Sequence, residues 1–106
     1  MSKKPETKIK EQLYRFLTEE YGGYWIKMTG SIFQQIGVPD IIGFFKENNL
    51  IIPCFIEVKT QKGMVSKIQD LTIKKIRDNG GCSFAARSIE DIKNGIEEYK
   101  TMLNMQ

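Results

Sequence analysis

Two acidic residues lie at the ends of apolar, strand-forming runs, and this placement limits how those runs can pack. Asp40 directly precedes Ile41-Ile42-Gly43-Phe44-Phe45, and Glu57 follows the apolar run that ends at Ile56. Burying an ionised carboxylate is unfavourable unless the group is paired, hydrogen-bonded or bound to a metal. We therefore expect the fold to bring both acids to a partner, and we interpret that partner as a Mg²⁺ ion.

The residues around Glu57 add an amine and a further oxygen to this predicted site. Because side chains alternate across a strand, Glu57 and Lys59 point to the same face. Asp40 begins the neighbouring strand of a predicted hairpin, and adjacent antiparallel strands bring such residues together. The backbone carbonyl of Val58 is available as a third ligand. Mg²⁺ commonly binds one or two carboxylates and keeps several waters, which suits phosphoryl chemistry.

The chain contains no histidine and two cysteines, and this excludes several kinds of site. Zinc sites built on histidine and Ser-His or Cys-His nucleophile pairs are absent from the sequence. Cys54 and Cys82 lie in apolar, strand-like segments, so we predict buried thiols and no disulfide. A metal ion would therefore be a hard cation held by oxygens, such as Mg²⁺, Mn²⁺ or Ca²⁺.

Length and composition predict one globular domain over residues 1–106. Hydrophobic residues make up 41% of the chain and charged residues 27%, which is ordinary for a soluble protein. The longest apolar stretch, Leu50 to Ile56, is too short to span a bilayer. No apolar segment follows the basic N-terminus, so we expect no signal peptide and a cytoplasmic location.

The net charge of +3 is unevenly distributed along the chain. Residues 58–79 carry six basic side chains and two acidic ones, whereas residues 88–106 carry four acidic and two basic ones. A basic stretch directly after the candidate site suits a polyanionic substrate. A solvated helix face explains the same charges equally well.

Hydrophobic spacing and turn residues predict the element order α-β-β-β-α-β-α. The predicted segments are a helix over about 5–21, strands over 24–28, 39–45 and 50–59, a helix from Ser66 to Asn79, a strand over 82–86 and a helix after Ser88. The strand pair and the later crossover helix predict an α/β sandwich with strands of mixed direction. Lys27 precedes a polar loop, residues 29–35, that we interpret either as a phosphate contact or as a solvated strand end.

These residues together form a pattern that resembles a known group of nucleases. An Asp followed one strand later by Glu-x-Lys resembles the PD-(D/E)xK nuclease superfamily. The fuller pattern consists of Gly37-Val38-Pro39-Asp40-Ile41-Ile42, Phe55-Ile56-Glu57-Val58-Lys59-Thr60, Gly63, Ser66 and Gln69. It is similar to the virus-type replication-repair nuclease (VRR-NUC) domain over nearly the whole chain.

The resemblance implies a restriction-endonuclease-like α-β-β-β-α-β core, with a mixed sheet flanked by helices and an added C-terminal helix. It implies that Asp40 and Glu57 bind Mg²⁺, for which Mn²⁺ substitutes, and that Lys59 positions the nucleophile. Gln69 would orient Lys59 or the water, and Glu6 of the opening helix would act on the metal through a water.

The resemblance also implies a substrate and an assembly. Small stand-alone members of the family act as homodimers on branched DNA, including four-way junctions. A physical argument agrees, since one domain of this size holds one site and a two-fold junction needs two symmetric cuts.

The individual site residues also have structural explanations. Asp40 after a proline is typical of a turn, and Glu57 with Lys59 could be an exposed pair on an edge strand. Gln69 stands three residues after Ser66, which is the spacing of a helix capping box.

Two questions stay open from the sequence alone. Glu11 is an alternative to Glu6 as the acid contributed by the first helix. A non-catalytic DNA-binding module on the nuclease fold, and a restriction-type enzyme acting on linear duplex, are the alternative functions.

Overall fold

The computed structural model describes residues 4–29 and 37–104. In chain order it contains α1 (Pro5–Tyr21), β1 (Tyr24–Lys27), β2 (Ile41–Glu47), β3 (Leu50–Val58), α2 (Lys67–Asp78), β4 (Cys82–Ala86) and α3 (Ile89–Asn104). The predicted α/β class and element order are confirmed. The second strand begins two residues later than predicted, so Asp40 directly precedes it. Residues 30–35 of the predicted phosphate-contacting loop lie outside the described residues.

The four strands form one mixed sheet in the order β1-β2-β3-β4. The β1–β2 and β2–β3 pairs are antiparallel, whereas β3 and β4 are parallel and are connected through α2. Asn48 and Asn49 join β2 to β3 with φ angles of 49° and 68°, as a tight hairpin turn requires at both central residues. Because β3 pairs with β2 on one side and with β4 on the other, it is an interior strand.

Pro53 lies within β3 even though proline cannot donate to a sheet ladder. The backbone N–H of Val58 points toward β2 and that of Lys59 toward β4, so by alternation the nitrogen of Pro53 faces the β4 side. The β4 pairing begins only at Cys54, one residue later. Pro53 therefore occupies a stretch of β3 where no hydrogen bond is needed on that side.

One face of the sheet forms the core with α1 and α3. The fully buried residues include Leu13 and Leu17 of α1 and Ile92 and Ile96 of α3. Trp25, only 5% exposed, packs in the same cluster. The two cysteines are buried there as free thiols, as predicted, and are paired across β3 and β4.

The opposite face of the sheet is only partly covered. The helix α2 packs over β3 and β4. In the area that α2 does not cover, four apolar side chains point to this face and are between 45% and 60% exposed. We call these four residues the open face: Tyr24, Ile26, Phe44 and Ile51. The rings of Tyr24 and Phe44 stack with their centroids 6.2 Å apart.

Side-chain caps set the beginnings of the last two helices. The Ser66 hydroxyl accepts a hydrogen bond from the Gln69 N–H at 3.1 Å, and the Gln69 Oε1 accepts from the Ser66 N–H at 2.9 Å. This is the predicted capping box. The Ser88 hydroxyl likewise accepts from the Asp91 N–H at 3.2 Å. Across residues 4–29 and 37–104, no helix has both the length and the apolar character needed to cross a bilayer.

Gly95 of α3 provides a direct test of this packing. A Cβ at this position would lie 2.5 Å from the ring of Phe84, which is only 7% exposed and has little room to move. We expect Gly95→Ala to destabilise the fold by about 1–3 kcal/mol through overpacking, although alanine favours helices. Urea unfolding measures the change.

The neighbouring Asn94→Ala is the matched control, because Asn94 is exposed on the same helix. Its expected effect is a gain of about 0.5 kcal/mol from helix propensity. If both variants are stabilised, the contact between α3 and Phe84 is looser than described.

Candidate active site

The strand register brings Asp40 beside Glu57. Ile41 of β2 pairs with Ile56 of β3, so the next residues outward are the two acids. Two hydrogen bonds from backbone N–H groups hold Asp40 in this position. Its carbonyl accepts from the Met28 N–H at 2.7 Å, and its Oδ2 accepts from the Val58 N–H at 2.8 Å. Asp40 is thereby tied to β1 and β3 at the end of the sheet.

Glu57 is one of the most buried polar residues, with 4% of its surface exposed. It lies on the interior strand β3, so the alternative of an exposed pair on an edge strand is wrong for this residue. The Gln69 side-chain amide donates a hydrogen bond to the Glu57 Oε1 at 2.7 Å. Gln69 therefore combines the capping of α2 with a direct contact to the buried carboxyl.

Burial and the neighbouring acid change the protonation of Glu57. Desolvation, followed by hydrogen bonding to Asp40 and the charge of Asp40, raises the pKa of Glu57 to about 8. The positive charge of Lys59 acts in the opposite direction, and the charge of Glu6 adds a small further increase. Near pH 7 the Glu57 carboxyl consequently keeps a proton as long as no cation lies between the two acids.

The first helix contributes a positive charge that the sequence analysis did not single out. The Lys10 Nζ lies 3.9 Å from the Asp40 Oδ1 and donates to the Met28 carbonyl at 3.0 Å. Glu6 stands four residues before Lys10, which places both on one face of α1. Once Glu6 is predicted to be a site residue, this four-residue spacing also indicates Lys10.

Of the two acids considered on α1, Glu6 has a charge that contributes to the raised pKa of Glu57. It lies in the first turn of the helix and is exposed. Glu11 lines a surface groove with Tyr14 and Lys27.

Lys59 directly follows β3 and is half-buried. Its backbone N–H donates to the Ala86 carbonyl at 3.0 Å, which continues the pairing with β4 beyond the end of the strand. Its charge lowers the pKa of Glu57, so the ammonium group lies on the side of the carboxyls. Since Glu57 and Lys59 are two residues apart, strand alternation places both on the same side of the sheet.

The donor set suits a hard cation with few protein ligands. In extended backbone the N–H and C=O of one residue point to the same side, so the Val58 carbonyl faces the Asp40 side together with its N–H. In the part of the chain that the structure describes, no cluster of three or more His, Cys, Asp or Glu side chains is arranged to hold a metal. Two carboxylates and one carbonyl fit an ion such as Mg²⁺, which keeps several of its waters.

Solved structures of other proteins resemble this fold. One, described as a VRR_NUC domain, has a TM-score of 0.62 and 20% identity and covers 85% of this chain and 96% of its own. Another, described as a VRR_NUC domain protein, has a TM-score of 0.66 and 14% identity, with 93% of this chain and 90% of its own covered. At these identities the likeness shows the fold alone. No curated protein matches the chain.

The sequence profile of the VRR-NUC domain matches residues 3–89. The match extends from α1 through β4, so it includes every residue of the candidate site, and the resemblance inferred from the sequence is confirmed. The chain belongs to the VRR-NUC domain family, whose members are nuclease-type domains that process DNA.

Proposed function

We propose that this domain is a Mg²⁺-dependent endonuclease that hydrolyses phosphodiesters in branched DNA, such as four-way junctions. The observation that carries the proposal is the contact between Asp40 and the buried Glu57, whose pKa the charge of Lys59 lowers. A carboxyl with so little exposure and a pKa raised to about 8 is a group that a dication would stabilise in its ionised form.

The residues that would hold the ion are Asp40 and Glu57 through their carboxylates and Val58 through its carbonyl. Glu6, whose charge contributes to the raised pKa of Glu57, would act on the ion through a water. When bound, Mg²⁺ supplies a Lewis acid for a phosphate oxygen, and Mn²⁺ should substitute for it.

The remaining residues act on the attacking water, the phosphate or the two carboxyl groups. Lys59 holds the attacking water, or takes its proton, or offsets with its charge the negative charge that develops on the phosphate. Gln69 fixes one oxygen of Glu57 by its 2.7 Å hydrogen bond, which leaves the other oxygen for the ion. The Lys10 ammonium group, 3.9 Å from the Asp40 Oδ1, adds a positive charge to the site from the side of α1.

A homodimer is the assembly that we propose for paired cutting. One site serves one strand, and a two-fold symmetric junction requires two equivalent cuts. The open face supports this proposal, since a cluster of exposed apolar side chains on one sheet face is typical of an interaction surface.

The catalytic proposal is tested by cleavage assays with four-way, flapped and linear DNA in the presence of Mg²⁺ or Mn²⁺. We expect the four-way junction to be cut fastest. We expect Lys59→Ala to lower kcat by at least about 100-fold, which is the scale of losing a positioned proton-transfer group. Lys62→Ala is the matched control, because this exposed lysine lies in the same loop, and it should stay within about threefold of wild type.

Two outcomes would favour the alternative functions. Wild-type protein that binds DNA and cuts none of the three substrates is a non-catalytic binding module. Preferred cutting of linear duplex at a fixed sequence indicates a restriction-type enzyme.

The dimer is tested by size-exclusion chromatography with light scattering. We expect wild type to have twice the mass of the chain and Phe44→Glu to have the mass of a monomer, because a charge in the open face opposes burial. Met102→Glu is the control, as Met102 is also exposed, 53% against 45% for Phe44, but lies on α3 away from the sheet. A monomeric wild type, or equal masses for both variants, contradicts an interface at the open face.

A further inference from the structure

Arg87 joins the end of β4 to the loop that follows Lys59. Its Nη1 donates hydrogen bonds to two backbone carbonyls, those of Thr60 and Gly63. Its own backbone N–H donates to the Asp91 Oδ2 at 2.8 Å, at the beginning of α3. A single guanidinium group thus connects the β4–α3 junction with two points of the loop.

The two carbonyls belong to a tight turn. The Gly63 N–H donates to both the carbonyl of Thr60, at 3.1 Å, and its hydroxyl, at 3.0 Å. A Cβ on Gly63 would lie 3.6 Å from the Cδ of Lys59, so the turn packs against the stem of that lysine. Movement of the turn would therefore move the Lys59 side chain.

The same loop also leads to Gln69, which contacts Glu57. Ser66 follows the turn and caps α2 through the reciprocal bonds with Gln69, whose amide holds Glu57. The loop consequently has Lys59 at one end and the Gln69 contact at the other. Within the described chain, Arg87 is the side chain from outside this loop that bonds to the turn's carbonyls.

We propose that Arg87 is a positioning residue: it holds the turn of residues 60–63 so that Lys59 and Gln69 keep their places around Glu57. Lysine keeps the positive charge, but its side chain is shorter and the hydrogens of its ammonium group are not coplanar, so we expect it not to reproduce both bonds that the Arg87 Nη1 makes. The catalytic consequence rests on the proposed function, whereas the consequence for the turn does not.

The first test measures amide hydrogen exchange in the metal-free protein for peptides that contain residues 59–66. We expect Arg87→Lys to accelerate exchange of the Gly63 amide by about tenfold or more, because the turn opens more often. Arg77→Lys is the matched control, since Arg77 also bonds a backbone carbonyl, that of Ser83 at 2.7 Å, but lies away from this loop. Unchanged exchange in Arg87→Lys, or equal acceleration in both variants, overturns the proposal.

The second test measures cleavage kinetics on the substrate that wild type cuts best. We expect Arg87→Lys to lower kcat by about tenfold or more with KM nearly unchanged, since a small misplacement of catalytic groups slows the chemical step. Arg77→Lys should leave both constants unchanged. A raised KM with normal kcat would instead identify Arg87 as a DNA contact and overturn the positioning role.

A further variant tests the role of the turn independently, in case Arg87→Lys does not fold. Thr60→Val removes the hydroxyl that accepts from the Gly63 N–H and leaves Arg87 intact. Thr60→Val should accelerate hydrogen exchange of the Gly63 amide and lower kcat, as Arg87→Lys does. Faster exchange with an unchanged kcat would contradict the link between the turn and catalysis. If wild type cuts no DNA, the proposed function fails, and the exchange experiment still decides whether Arg87 holds the turn.

Discussion

The burial of Glu57 against Asp40 is the constraint around which this structure is arranged. Two carboxyls in contact at the end of a sheet repel each other when both are ionised, and burial makes the charge on Glu57 still less favourable. Several neighbouring groups reduce that repulsion. Val58 donates to Asp40, Gln69 donates to Glu57, and positive side chains approach from α1 and from the end of β3.

The supports of the site come from four different parts of the chain. The hairpin of β2 and β3 brings the acids together, α2 contributes Gln69 through its first turn, and α1 contributes Lys10. The parallel strand β4 makes β3 an interior strand and so keeps Glu57 from water. The site therefore depends on the whole fold, although its acids are only 17 residues apart along the chain.

Local signals explain why much of this could be predicted from the sequence. The Asn48-Asn49 turn determines the hairpin register, and that register alone brings Asp40 opposite Glu57. The caps at Ser66 and Ser88 follow from residue type and spacing in the same way. By contrast, Lys10 and Arg87 act through contacts between segments that are distant in the chain. The spacing from Glu6 indicates Lys10 only after Glu6 is identified, and no local pattern indicates the contacts of Arg87. The open face also depends on which side of the sheet each helix covers, which the strand pattern does not determine.

The most direct test of the account is a calorimetric titration of the DNA-free protein with Mg²⁺ and Mn²⁺ at pH 7. Performing it in two buffers of different ionisation enthalpy counts the protons exchanged on binding. Because the raised pKa leaves Glu57 protonated at this pH, we expect each bound ion to release about one proton. Glu57→Gln should abolish both the binding and the release. Failure of the wild-type protein to bind either ion, or equal binding by Glu57→Gln, would contradict a metal site at the two acids.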